Sequence, residues 1–103
     1  MRKFVKGAFE LDKNVTDLVA YEKPIEGKLK EICDWGDQFK ISIQFGTTED
    51  NTYLCEYRVI ANTKALCNGL IRELKELLHE AFPTVKTLWQ MSGNYLYRKE
   101  SKQ

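Results

Sequence analysis

The sequence is poor in the residues on which chemistry and covalent stapling depend: it holds one histidine, two prolines and three cysteines. A single histidine excludes a His-rich metal site and every His-x-x-x-His pair. Three cysteines cannot form a closed disulfide framework, since one thiol is left over. No stretch approaches the run of about 20 apolar residues that a membrane-spanning helix needs. Charge of one sign is also lacking, because 16 Lys/Arg stand against 15 Asp/Glu for a net charge of +1. The chain as a whole is therefore no general polyanion binder. The segment Met1-Arg2-Lys3-Phe4-Val5-Lys6 begins basic but leads into no apolar core, so it does not read as a signal peptide. A cytoplasmic location with reduced, mostly buried thiols is the expectation.

What is present is the composition of an ordinary globular protein, with 43% hydrophobic and 30% charged residues. The 103 residues have room for one domain, expected to span residues 1–103. Arg2 to Leu11 reads as a strand of imperfect alternation: Val5, Phe9 and Leu11 share one parity, while Phe4 and Ala8 are apolar on the other. Asp12-Lys13-Asn14 reads as a turn, and Val15 to Tyr21 suits either a short strand or a helical turn. Pro24 is suited to open a helix that carries Ile25, Leu29, Ile32 and Cys33 on one stripe, with Gly36 as its stop.

Phe39 to Phe45 is the clearest strand, with Phe39, Ile41, Ile43 and Phe45 on one face and Lys40, Ser42 and Gln44 on the other. Tyr53 to Ala61 repeats the pattern with Tyr53, Cys55, Tyr57 and Val59. A hairpin between the two is expected to set Ile43 opposite Cys55 and Ile41 opposite Tyr57. Asn62 or Thr63 is the expected cap of a second helix over Lys64 to Phe82, ended by Pro83. Its apolar residues, Leu66 through Phe82, fall within about 160° of the helical wheel. Val85 to Met91 and Tyr95 to Arg98 read as two strands joined across Ser92-Gly93-Asn94. The pattern predicts an α+β fold: a small, single-layer, mainly antiparallel sheet with two amphipathic helices packed on one face. The strings Leu29-Lys30-Glu31-Ile32 and Leu74-Lys75-Glu76-Leu77 form a faint internal echo, which a common helical composition explains equally well.

No set of residues reads as catalytic. Cys33, Cys55, Cys67 and His79 are separated by 22, 12 and 12 positions, whereas structural zinc sites supply ligands in close pairs. The expectation is core thiols, with no metal and no cofactor. Cys67 falls in the middle of its helix's apolar stripe and His79 on the polar side, so they form no nucleophile–base pair. The carboxylate pairs Asp34/Asp37, Glu49/Asp50 and Glu76/Glu80 sit among polar residues and read as solvated surface charge.

Charge is unevenly placed along the chain. Residues 1–13 and 84–103 carry eight Lys/Arg against three acids, while residues 14–83 carry eight against twelve. The same end segments hold Phe4, Phe9, Trp89, Tyr95 and Tyr97. Two function classes follow. The first is a non-enzymatic protein-binding module, an adaptor or inhibitor using an aromatic and charged surface or an exposed strand edge; a homo-oligomer would bury the same aromatics. The alternative is a single-stranded nucleic-acid binder whose terminal strands join into a basic, aromatic patch. The candidate binding residues are Arg2, Lys3, Lys6, Trp89, Tyr95, Tyr97, Arg98 and Lys99. Against both stands a plain structural role, with aromatics in the core and Lys/Arg shielding an edge strand from aggregation.

Overall fold

The computed structural model describes residues 2–11, 22–33, 39–50 and 52–95. The elements run β1 (Arg2–Leu11), α1 (Glu22–Cys33), β2 (Phe39–Thr47), β3 (Tyr53–Ala61), α2 (Lys64–Ala81) and β4 (Val85–Tyr95). The four strands form one antiparallel sheet in the order β2-β3-β1-β4. Two β-α-β units with the second strand of each placed outside the first give the split, ferredoxin-like arrangement. Both helices pack on one face of the sheet, α2 across β1 and β3 and α1 beside it toward β2. The ambiguous segment Val15 to Tyr21, the turn at Asp12, Gly36 and the C-terminal Tyr97, Arg98 and Lys99 lie outside the described residues.

Alternation dictates which strand face is covered. Val5, Phe9 and Leu11 of β1, the odd positions Phe39 to Phe45 of β2, and Cys55, Tyr57, Val59 and Ala61 of β3 all turn toward the helices and are buried. From α2 the fully buried Cys67, Leu70, Leu74 and Leu78 meet them, with Phe82 closing the end. Each fully buried leucine contributes roughly 1.5–3 kcal/mol. The helix begins where the Thr63 hydroxyl accepts the Leu66 amide at 3.1 Å, and it ends at Phe82, whose extended backbone leads into Pro83. No helix of the described residues is long and apolar enough to cross a membrane.

Four sequence expectations are corrected. The helix α1 starts at Glu22 rather than Pro24, which sits in the first turn, where a missing N–H still costs nothing. The β2–β3 register differs by two: Ile43 lies opposite Tyr57 and Ile41 opposite Val59. The cause is a tighter turn, in which β2 runs on to Thr47 and the Thr48 hydroxyl accepts the amides of Asp50 and Thr52. A shift of two keeps parity, so the face assignments survive. The third correction concerns Ser92-Gly93-Asn94, which is no turn, for β4 is continuous from Val85 to Tyr95. Gly93 instead lies opposite Phe4, where a Cβ would come within 3.0 Å of the Phe4 ring. Its hydrogen makes room for that ring, a cross-strand cover of a strand glycine by an aromatic. The fourth is β1, which is interior, flanked by β3 and β4, so Arg2, Lys3 and Lys6 do not shield an edge.

Gly7 holds the centre of the sheet. It faces the helices at the position where the Tyr57 side chain crosses β1, and Gln90 Nε2 donates to the Tyr57 hydroxyl at 2.9 Å. The Phe9 and Tyr57 rings lie 5.1 Å apart. A side chain at residue 7 would collide with the Tyr57 hydroxyl and the Trp89 carbonyl.

Candidate functional site

No element among the described residues covers the face of the sheet away from the helices, on which Lys6, Arg58 and Trp89 are exposed while Ala8 and Ile60 are buried. Registered pairing sets its rows across the strands. Arg2 is paired with Tyr95; Ile60, Phe4 and Gly93 form the next row; then come Arg58, Lys6 and Met91; then Glu56, Ala8 and Trp89. Successive rows are about 6.6 Å apart, two residues along a strand. From β2, Ser42 and Gln44 extend the third and fourth rows.

The expected residues therefore separate. Arg2, Lys6, Trp89 and Tyr95 share the open face. Lys3 has the opposite parity; its ammonium donates to the side-chain Oδ1 of Asn94 on the helix side. The face also recruits two residues that the sequence reading did not single out as site residues for binding, Phe4 and Arg58. Arg58 belongs to the acidic middle of the chain, and only the pairing of β3 with β1 places it beside Lys6. Its guanidinium carbon lies 5.9 Å from the centre of the Tyr95 ring.

Lys6 and Arg58 are directly opposite one another on neighbouring interior strands. Like charges so placed oppose folding. Neither makes an ion pair among the described residues, where the one salt bridge is Lys28–Glu80 on the helices. The two cations form a divide between two shallow recesses. One, of about 330 Å³, is lined by Lys6, Arg58, Ser42, Gln44, Glu56 and Trp89, among others. The other, of about 230 Å³, is lined by Phe4, Lys6, Arg58, Asn94 and Tyr95. Each recess has an aromatic wall and both share the same two cations.

A second feature adjoins this face. Among the described strands β4 lies at an edge of the sheet, and from Thr87 to Tyr95 it carries no charge. Leu88, Trp89 and Met91 are 49%, 43% and 50% exposed. A register shift between Ala8 and Phe9 marks a bulge at Leu88. The opposite edge, β2, exposes only Lys40, Ser42, Gln44, Gly46 and Thr47.

The thiols of Cys55 and Cys67 are placed for packing, and the side chain of Cys33 lies outside what is described. Burial, with Glu22 and Glu56 adding to it, pushes the Cys55 thiol up to about 12. Cys67 is also raised by burial, and its thiol points at the carbonyls of Lys3 and Val59. Both are protonated at neutral pH, unlike a reactive thiolate. His79 is exposed in the last turn of α2. Among the described residues no cluster of His, Cys, Asp and Glu has the geometry of a metal site.

No family model and no curated protein matches the chain. Solved structures do. The chain is similar to the de novo designed protein Foldit4, with a TM-score of 0.61 at 8% identity over 93% of this chain and 100% of that one. It is similar to the structural-genomics protein YJCS, with a TM-score of 0.54 at 11% identity over 93% and 100%. It also resembles part of AtUAH, solved in complex with glyoxylate, with a TM-score of 0.51 at 11% identity, over 90% of this chain and 28% of that one. Likeness at such identities shows the fold, a small α+β sheet-and-helix sandwich, and leaves activity to the site.

Proposed function

We propose that the chain is a non-enzymatic protein-binding module, an adaptor or inhibitor, that takes an extended segment of another protein along the β4 edge. The observation that carries this reading is the uncharged edge from Thr87 to Tyr95 with Leu88, Trp89 and Met91 exposed. Soluble proteins blunt such edges with charge, proline or a covering element. An added strand would satisfy the outer backbone groups of β4 and cover Leu88 and Met91, the mode known as β-augmentation. A cytoplasmic setting accords with this reading and is supported by two buried cysteines that are free.

The test is a capture experiment on nuclease-treated extract of the native cells, with the wild-type chain and with Leu88→Lys and Met91→Lys as bait. Charge on the edge is expected to abolish capture of a specific protein while the circular dichroism spectrum is unchanged. Capture that persists in both variants, or that vanishes on nuclease treatment of the wild type, refutes the reading. Light scattering of the purified chain distinguishes a second copy from a foreign partner: a dimer dissociated by Met91→Lys would identify the partner as another copy of this chain.

A further inference from the structure

We infer that the open face of the sheet is a binding site for single-stranded nucleic acid, with Lys6 and Arg58 holding a backbone phosphate between two base-sized recesses. The inference uses the face and not the β4 backbone, so it stands independently of the edge reading.

Three observations converge. First, Lys6 and Arg58 oppose one another across the two interior strands with no carboxylate neutralising either among the described residues. Two adjacent, accessible cations in fixed register fit one phosphate, the lysine as a point charge and the arginine as a fork. Second, the flanking recesses share a composition, each lined by both cations and by aromatic carbon. Trp89 serves one recess, and Phe4 and Tyr95 serve the other. A base–phosphate–base unit has this alternation, and aromatic stacking accepts any base. Third, both recesses are open to solvent rather than enclosed. An extended strand can therefore cross the face with bases splayed, the form in which single strands are recognised on four-stranded sheets. The stiff duplex has its bases stacked inward and offers them to neither recess.

The acidic groups nearby shape the register of the ligand. Glu56 lines the first recess beside Ser42 and Gln44, and Glu10 lies two rows beyond Lys6 on β1. Both repel phosphate, so the backbone is confined to the Lys6–Arg58 row and toward Arg2 and Tyr95. The polar lining by Ser42, Gln44 and Glu56 is then left to a base edge in the first recess.

Fluorescence anisotropy of labelled single-stranded oligouridylate and oligodeoxythymidylate tests the inference, with a duplex of matched length and polyglutamate as competitors. Wild-type chain is expected to bind single strands at low salt and to weaken steeply as salt rises. Lys6→Glu is expected to lower affinity by roughly tenfold or more and to reduce the log–log salt slope by about 0.7, one phosphate contact on a single strand. Its melting temperature should hold or rise, because the introduced carboxylate faces Arg58. Lys30→Glu, on α1 and off the face, makes the same change in net charge and should leave affinity near wild type. Trp89→Ala should lower affinity without altering the salt slope. If Lys6→Glu does not fold, Arg58→Gln set against Lys30→Gln carries the same comparison. Absence of binding at low salt, an equal loss in Lys30→Glu, or competition by polyglutamate as effective as by single strands overturns the inference. Met91→Lys separates the two sites: it blocks the edge yet adds a cation beside Lys6, so strand docking should fail while nucleic-acid binding holds or strengthens.

Discussion

Replacing Gly7 by alanine places a methyl group where the sheet has no room for one. An ideal Cβ at residue 7 lies 2.6 Å from the Tyr57 hydroxyl oxygen and 2.9 Å from its ring carbon, and it overlaps the Trp89 carbonyl oxygen. Relief requires the Tyr57 ring to lift or β4 to move away from β1. Lifting the ring gives up the 2.9 Å bond from Gln90 and the packing on Phe9. Moving β4 breaks the pairing that holds an edge strand in place. Overpacking of this kind costs about 1–3 kcal/mol, and a lost hydrogen bond adds about 1 kcal/mol. Reduced freedom of the unfolded chain returns about 0.4–1 kcal/mol. The net expectation is a loss of about 1–4 kcal/mol, or a fall in melting temperature of roughly 4–30 °C for a chain of this size. Urea unfolding followed by circular dichroism measures it. Gly69→Ala is the matched control, since a Cβ there meets nothing within 4 Å and alanine is the better helix former by about 1 kcal/mol. Adding Tyr57→Phe to Gly7→Ala should restore only part of the loss, because the ring carbon and the Trp89 carbonyl still obstruct the methyl. A Gly7→Ala variant as stable as wild type, or a full rescue by Tyr57→Phe, refutes this account of the sheet centre.

Thr63→Ala removes the hydroxyl that caps α2 and should cost about 1 kcal/mol in urea unfolding, with Thr63→Ser close to wild type. Alkaline pH should destabilise the fold. Cys55 is raised from 9.0 to about 12 by burial first, then by Glu22 and Glu56, and Tyr57 and Cys67 are raised in the same direction. The unfolded chain releases these protons earlier, so the stabilisation is complete below about pH 9 and is lost as pH rises toward 12. Each such group contributes a slope of up to about 1.4 kcal/mol per pH unit. Melting temperatures from pH 7 to 11 that stay level would contradict the burial of these groups. Alkylation of the folded chain at pH 7.5 should leave Cys55 and Cys67 unmodified until denaturant is added, which peptide mapping resolves residue by residue.

Much of the fold is legible in the sequence because two of its elements obey a single period without interruption. Phe39, Ile41, Ile43 and Phe45 alternate strictly, and from Leu66 to Phe82 the apolar positions keep to one helical stripe, so burial follows from local order alone. What is illegible depends on a neighbour across the sheet. Gly93 between Ser92 and Asn94 has the composition of a turn, and only the Phe4 ring opposite it explains a glycine in mid-strand. The candidate site fails for the same reason. Counting charge by position along the chain grouped Lys3 with Lys6 and left Arg58 in the acidic middle. Strand parity alone would have separated Lys3 from Lys6, whereas Arg58 needed the order β3-β1-β4, which no local pattern encodes.

Where the sequence departs from the rules that make sheets stable, it does so on one side of the molecule. The strand β2 follows them throughout, with polar residues at its exposed positions and apolar ones beneath the helices. The strands β1 and β4 do not. Interior β1 sets Lys6 against Arg58, a pairing that costs stability, while β4 carries no charge from Thr87 to Tyr95 and exposes Leu88 and Met91. Exchanging one residue would mend each fault: a carboxylate at residue 6 would pair with Arg58, and a lysine at residue 91 would guard the edge. Local conflict of this kind, left in place where a single substitution removes it, is where function is expected to reside. The two conflicts are adjacent, since Met91 is the registered neighbour of Lys6. A protein strand on β4 and a nucleic-acid strand on the open face would consequently run side by side, and Trp89, on the edge strand with its ring at the face, is the residue through which occupation of one site would be felt at the other.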